Sequence, residues 1–443
     1  MPEYLLEPVD LLFFRDGRPM APGQGSGHGC RAPLPNTLHE ALRTALLDLS
    51  GHRPAPDAHS RNNFTKRLSS TPTAVANGAF QSLQIRGPFF HGARDRQPDE
   101  TDADWLRVPE IHKQPTLRLP LPLDVLQADS NRLVVLQLAT NPNAAPLSMS
   151  PVPPTPPSKD TPAGFWTPDQ FAAYLRGDHT ADFRPLSARF LFEPEHRVGV
   201  EIDNATFTAR EGQLYAATYF RPARSTRFWF AAEIADRRRT EEIRLLAELD
   251  TLLFGGDRRM ARLEQSHTSP QLDSNTLPMP DFVALDTTRV KWTLLTPAIF
   301  ANGWLPGWID TQTFYVKLRL IDRVERRARR KTRRKGETFN LETDSARPVH
   351  AKLVSVCLGR PQPVTGWDVA SQNPKPTQLA VPAGSSFYFQ CQTPQDAAAL
   401  AGALHLRTRS DALGEKSYGL GVCGVWNTFE SSPDVSNPDK SKH

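Results

Sequence analysis

Nine of the thirteen residues from Arg323 to Lys335 (RVERRARRKTRRK) are lysine or arginine, against a single glutamate. The dense part is Arg326, Arg327, Arg329, Arg330, Lys331, Arg333, Arg334 and Lys335. A charge run of this kind is either a solvated tip or a nucleic-acid contact. Nine cations far exceed what solubility needs, so phosphate binding with counterion release is the use that fits best. Further candidates sit in glycine-rich loops. Gly25, Gly27 and His28 belong to the stretch 23–29, where glycine recurs at every second position, and Arg15 and Arg18 precede it. The turn Gly255-Gly256-Asp257-Arg258-Arg259 lacks the second carboxylate with which a GGDD turn shares divalent metals, so no metal site is expected there. Arginines beside a glycine turn can instead meet phosphates bidentately, the plainer alternative being a helix end with solvated arginines. Gly419, Gly421 and Gly424 match the spacing of a dinucleotide fingerprint. Only nineteen residues follow Gly424, too few for the helix and second strand that such a site needs. Next to Lys416 and Tyr418, that loop could still turn backbone N–H groups toward phosphates, or be a tight turn between strands.

Catalytic chemistry is poorly supplied. The twelve histidines are scattered, and only His28 has a setting suited to general acid or base work on RNA; a hydrogen bond or stack to a nucleotide suits it as well. Cys30, Cys357, Cys391 and Cys423 are each more than thirty residues from the next, which gives no zinc-ligand spacing. No cofactor is expected, and no nucleophile elbow or Walker loop occurs. Glu3, Glu7 and Asp10 stand where a signal peptide needs positive charge, and no apolar run approaches a membrane span. The expectation is a soluble protein of the reducing cytoplasm with no membrane partner.

The elements that must position these residues are bounded by a length of 443 residues, room for two large domains. Proline outnumbers glycine 41 to 26, which favours fixed loops and strand ends over long helices. The net charge of +5 divides into +8 on the basic run and −3 on everything else, so the body is near neutral. An apolar strand at 4–14 leads into the first glycine loop. A helix follows, with Thr37 and Glu40 as a capping box, a face of Leu38, Ala41, Leu42, Ala45, Leu46 and Leu49, and His39 and Arg43 off that face. Nine prolines between Asn141 and Pro168 suggest an exposed insertion at about 141–162 with no fold of its own. Strands are expected at 82–90, 132–139, 188–192 and 198–203, a hairpin from 214–220 and 228–234, and a helix from Thr240 to Phe254 stopped by Gly255. Trp304 and Trp308 follow a strand at 291–295, and two strand-like segments flank the basic run. The order fits an α+β protein of two ferredoxin-like domains, 1–190 and 191–430, with a basic excursion at about 323–347 and a flexible tail from 431.

Ordered blocks along nearly the whole chain resemble one known family. They are Phe14-Arg15-Asp16-Gly17-Arg18-Pro19, LHEALRTALL at 38–47, Gly87-Pro88-Phe89, VGVEID at 198–203, Gln213-Leu214-Tyr215, the turn 255–259, LTPAIFANGWLP at 295–306, GRPQPVTGWD at 359–368, VPAGSSFYF at 381–389 and the terminal SYGLGVCG. The family is the RAMP subunit of type III-B CRISPR (Cmr) effector complexes that holds the 5′ tag of the guide RNA. The resemblance implies two RRM-type ferredoxin-like domains side by side, with glycine loops facing a basic cleft. It implies no catalysis and no cofactor. The partners implied are the guide crRNA, the large polymerase-like subunit and the backbone RAMP subunit, in antiviral defence. The RNA contacts would then come from Arg15, Arg18, Gly25, Gly27, His28, Arg43, Gly255, Gly256, Arg258, Arg259, Lys416, Gly419 and Gly421, with Trp304 and Tyr418 stacking on unpaired bases. The alternative is a metal-independent repeat-RNA endoribonuclease of the same superfamily, with His28 as general base. A purely structural adaptor is the third reading.

Overall fold

The computed structural model describes residues 1–14, 26–27, 32–51, 79–94, 100–129, 132–143, 145–178, 181, 183–266, 272–320, 347–368 and 373–429. Arg15, Arg18, Gly25, His28, Cys30, the basic run and the tail lie outside the described residues, as does any test of what was expected of them. The first part of the chain supplies β1 (Glu3–Pro8), α1 (Pro35–Leu49), β2 (Leu83–Gly92), β3 (Thr116–Pro120), β4 (Phe165–Trp166) and α2 (Pro168–Leu175). Next come β5 (Phe192–Ile202), β6 (Ala209–Pro222), β7 (Arg227–Ile234), α3 (Thr240–Glu248), β8 (Thr251–Leu253) and β9 (Met260–Ser266). The last part holds β10 (Arg289–Leu294), β11 (Ala351–Cys357), β12 (Ser386–Cys391), α4 (Pro394–Leu404), β13 (Arg407–Thr408) and β14 (Leu420–Gly424).

Two antiparallel sheets organise this α+β chain. The first has the order β8-β9-β1-β7-β2-β3-β4, the second β11-β12-β10-β14-β13. In the first, β1–α1–β2 and β7–α3–β9 are two strand–helix–strand units whose strands interleave as β9-β1-β7-β2. The second repeats this interleaving as β14-β10-β12-β11, although no helix joins β10 to β11 among the described residues. The expected boundary at 190/191 falls inside the first sheet, because β7, β8 and β9 complete what β1, β2 and β3 begin.

The central strands β1 and β7 of the first sheet are apolar on both faces because both are covered, whereas the edge pair β8 and β9 exposes alternate residues. Tyr4 and Leu6 of β1 join Leu38, Leu42 and Leu46 of α1 and Leu245 and Leu246 of α3 in one core. Leu5, on the opposite face, meets Phe89 and Trp229 in a second core that also takes Leu420 and Val422 of β14. Alternation along a pleated strand thus puts neighbouring residues into two different cores, and it is the second core that binds the two sheets together. Across the second sheet, Val290, Trp292 and Leu294 of β10 pack with Ala397, Leu400 and Leu404 of α4.

Several elements differ from the sequence expectation. The 214–220 segment does not pair with 228–234: β6 pairs with β5, and β7 runs between β1 and β2. Residues 188–190 form a 3-10 turn rather than a strand. The helix at 240 ends at Glu248, because the next residues are taken into the edge strand β8, paired with β9. α1 begins a turn early, at Pro35, with Leu34 as its N-cap and no side-chain cap; proline suits the first helical position, whose N–H has no intrahelical partner. The proline-rich stretch is not without structure. Met149–Val152 pairs with Gln137–Thr140, and Met149 packs beside Leu138, Val354, Tyr388 and Trp426.

Candidate nucleic-acid interface

Between β8 and β9 the chain reverses through Gly255–Arg259. Gly255 has φ +89°, and a Cβ there would lie 2.6 Å from the Phe13 carbonyl oxygen, so only glycine fits. Gly256 donates its N–H to that same carbonyl at 2.7 Å, and Phe254 N–H meets Arg259 O at 2.7 Å. Asp257 and Arg258 are both left-handed, with φ 59° and 52°. That pair of conformations leaves Arg258 exposed, with no ion pair among the described residues. Arg259 folds back instead, donating to Asp10 Oδ2 at 3.2 Å and Asp257 Oδ2 at 3.1 Å.

The ring that receives Arg259 is Tyr219 of β6. Arg259 lies over it at 5.1 Å and Arg197 of β5 at 5.3 Å, while its hydroxyl donates to Asp257 Oδ2 at 3.1 Å. Phe13 closes one side with ring centroids 5.0 Å apart. Each guanidinium is attracted to the ring by a cation–π contact, and the carboxylates offset their mutual repulsion: Glu195 meets Arg197 at 2.7 Å, and Asp10 and Asp257 meet Arg259. The first glycine loop reaches the same strand: Ser26 and Gly27 pair in parallel with Ala216 and Ala217. The fold therefore brings two of the expected loops together on β6. Neither Arg197 nor Tyr219 was foreseen. Their signal was alternation along 195–221, but only the register Glu195↔Tyr219 and Arg197↔Ala217 shows that they are neighbours. Farther out, the β5–β6 hairpin carries exposed Val198, Ile202 and Leu214 and, at its turn, Phe207 at 83% exposure.

The third loop was expected beside the other two and is elsewhere. Lys416 is buried and paired with Glu40, the residue expected to cap α1. Tyr418 is fully buried and its hydroxyl donates to Asn36 at 2.6 Å. Gly87 N–H donates to Ser417 Oγ at 2.9 Å. The loop is thus wedged between α1 and β2, which takes Lys416 and Tyr418 out of reach of RNA. Gly419 (φ +74°) is glycine because the Ser410 backbone crowds it, and Gly421 because the Trp292 indole does. Arg43 is also buried, donating to the Ala79 carbonyl at 2.8 Å, and its neighbour His39 meets Leu83 O at 3.3 Å. Burial drives the His39 imidazole down to about 3, so it stays neutral. Both residues lie on the packed side of α1, where the helix meets the 79–83 turn as well as the leucine face. Trp304 is half-buried, stacked on Phe314 with centroids 6.4 Å apart.

One group in this buried loop is unsatisfied. Both carboxylate oxygens of Glu415 are buried without a hydrogen-bond partner, and burial pushes the group up to about 7. The folded chain holds this proton more tightly than the unfolded chain between pH 4.5 and about 7, so stability falls as pH rises through that window. Glu415→Gln is expected to stabilise the protein by about 2–3 kcal/mol at pH 8 and to gain nothing below pH 4.5. Urea unfolding at the two pH values checks this; an equal effect at both would reject it.

Among the described residues no group of three His, Cys, Asp or Glu could share a metal ion, and no helix is long and apolar enough to cross a membrane. The sequence profile of a CRISPR-associated protein family, Cas_Cmr3, matches residues 4–426. No curated protein matches the chain. Among solved structures, the chain is similar to one in the cryo-EM structure of the type III-B Cmr-beta bound to cognate target RNA, at 14% identity, TM-score 0.42, covering 87% of this chain and 86% of that one. A chain of the Csm3-Csm4 subcomplex of the type III-A CRISPR-Cas interference complex is similar at 11% identity, TM-score 0.30, covering 87% and 92%.

Proposed function

Since the chain belongs to the CRISPR-associated Cas_Cmr3 family, we propose that it is a non-catalytic, cytoplasmic subunit of a type III-B effector complex that binds the 5′ tag of the guide RNA. In that role it seats the large polymerase-like subunit on the backbone of RAMP subunits. Its two interleaved sheets are read as two ferredoxin-like units.

The observation that carries the RNA reading is the cluster on β6. Exposed Arg258 stands beside the Arg197–Tyr219–Arg259 stack, next to the strand made by the first glycine loop. A free guanidinium on a rigid turn, here that of Arg258, positions a phosphate, and backbone N–H groups of a glycine strand allow close approach. His28, which directly follows that strand, and Arg15 and Arg18, earlier in the same loop, would add to the same site. The apolar outer half of the β5–β6 hairpin would press against unpaired bases or a neighbouring subunit, and the basic run at 323–335 would reach RNA beyond the tag. Complexes assembled with this chain are expected to bind a guide with its intact tag at least tenfold tighter than one with a scrambled tag of equal length. Equal binding would overturn the reading.

A further inference from the structure

Arg259 sits at the centre of the β6 cluster, and its guanidinium is incompletely satisfied. Asp10 reaches one terminal nitrogen at 3.2 Å, and Asp257 reaches the other at 3.1 Å. Neither carboxylate grips it bidentately, and its buried Nε has no acceptor among the described residues. One-point pairs are the weaker form of an arginine–carboxylate contact, so an anion that offers more oxygens can replace them.

The two carboxylates are not equivalent. Asp257 belongs to the turn itself, and its Oδ2 also accepts from the Tyr219 hydroxyl at 3.1 Å, so it ties the ring to the guanidinium. Asp10 lies on the segment after β1, is 62% exposed, and has no hydrogen-bond partner but Arg259 among the described residues. The backbone on either side of it is fixed, with Val9 N–H on Met260 O at 3.1 Å and Leu12 bridged to Phe220. Rotation of the Asp10 side chain alone therefore frees a terminal nitrogen of Arg259 and leaves the turn standing. The same charge acts on Arg197, whose pKa is raised first by Glu195 and further by Asp10.

We propose that Asp10 is an internal competitor of RNA phosphate for Arg259, an autoinhibitory contact that must open before a phosphate reaches this guanidinium. The proposal rests on the guide-binding reading above, and it adds to it a phosphate contact with a built-in rival. A carboxylate with a purely structural task would behave in the opposite way, since its removal would loosen the site and weaken binding. An exposed ion pair is worth at most about a factor of five in an equilibrium, which sets the size of the effect.

Complexes assembled with wild-type chain, Asp10→Asn or Asp257→Asn are titrated with the tagged guide over a range of salt. Asp10→Asn keeps the side-chain shape and removes the charge. It is expected to tighten binding about threefold to fivefold and to steepen the slope of log affinity against log salt by up to about 0.7, because a phosphate then meets Arg259 without releasing an internal anion. Asp257→Asn is expected to weaken binding, because the acceptor shared by Tyr219 and Arg259 loses its charge. In an Arg259→Gln background the gain from Asp10→Asn should vanish, whatever that background does to the starting affinity. Glu7→Gln controls for net charge: Glu7 is an exposed carboxylate paired with Arg227, and its loss should change affinity by less than about twofold. Unchanged or weaker binding in Asp10→Asn, an equal gain in Asp257→Asn or Glu7→Gln, or a gain that survives Arg259→Gln overturns the proposal, while a tag preference in the wild-type complex leaves the guide-binding reading standing. A wild-type complex that binds intact and scrambled tags equally sinks that reading instead; the Asp10→Asn gain, which depends on phosphate and not on base, still decides this one.

Discussion

Asp124→Ala is expected to lower the unfolding free energy by about 3–5 kcal/mol, since it strips the counter-ion from a buried lysine. Asp124 is fully buried and accepts from the Tyr174 hydroxyl at 2.7 and 2.9 Å, the Tyr388 hydroxyl at 2.7 Å and Lys291 Nζ at 3.1 Å. Lys291 itself is 2% exposed, with its ammonium 3.6 Å from the centre of the Tyr174 ring. Burial alone lowers the Lys291 pKa, and Asp124 pulls it back up. Removing the carboxylate thus leaves an ammonium and the Tyr388 hydroxyl without their acceptor, in a place that water cannot easily enter, while the Tyr174 hydroxyl keeps Thr293 Oγ1 within 3.1 Å. The cluster joins α2, which packs on the first sheet, to β10 and β12 of the second, so it also holds the sheets in register. Adding Lys291→Met to Asp124→Ala should recover most of the loss, because the apolar pair leaves no charge to neutralise. Equilibrium unfolding of the two single variants and the double gives the coupling directly. Additive losses would show that the lysine is stabilised by something other than Asp124.

That cluster also shows what the sequence did and did not reveal. Lys291 and Thr293 alternate with Val290, Trp292 and Leu294, and the strand was visible from this alternation. The alternation alone reads as a strand with one wet face. In the structure that face is covered, and the polar residues on it satisfy one another. Asp124 is more than 160 residues from Lys291, so nothing local could pair them. The same limit applies to Glu40. Its spacing from Thr37 is that of a capping box, but Pro35 moved the helix start, and two lysines far along the chain, Lys375 and Lys416, claimed the carboxylate. Many strand positions, most helices and the glycine turn at 255–259 were legible because they depend on local spacing, but the strands at Thr116–Pro120, Thr251–Leu253 and Met260–Ser266 were not. Strand order, the β5–β6 register and the burial of Arg43, Lys416 and Tyr418 depend on tertiary packing, which composition does not encode. A basic or aromatic residue beside a glycine turn looks the same in sequence whether it faces RNA or a helix.

Replacing Arg197 and Arg258 together with alanine is expected to weaken guide binding by about tenfold for each arginine and to flatten its salt dependence. Each lost phosphate contact on a single strand should reduce the slope of log affinity against log salt by roughly 0.7. The two arginines differ in what else they do. Arg258 has no ion pair among the described residues, so its loss reports on the ligand alone. Arg197 also supports Tyr219, and Tyr219→Leu serves as the measure of that support: it should lower affinity without changing the slope. Arg259 is left out of the pair because it bonds Asp10 and Asp257, so removing it would loosen the turn itself. Arg244 is a suitable control, being exposed on α3 and already paired with Glu241 and Glu248. If the double variant keeps the wild-type slope while affinity falls, these arginines act through the shape of the turn or through a protein partner. The phosphates would then be held by other residues, and the basic run at 323–335 would be the next place to look, since its deletion should lower the slope by far more than two contacts can.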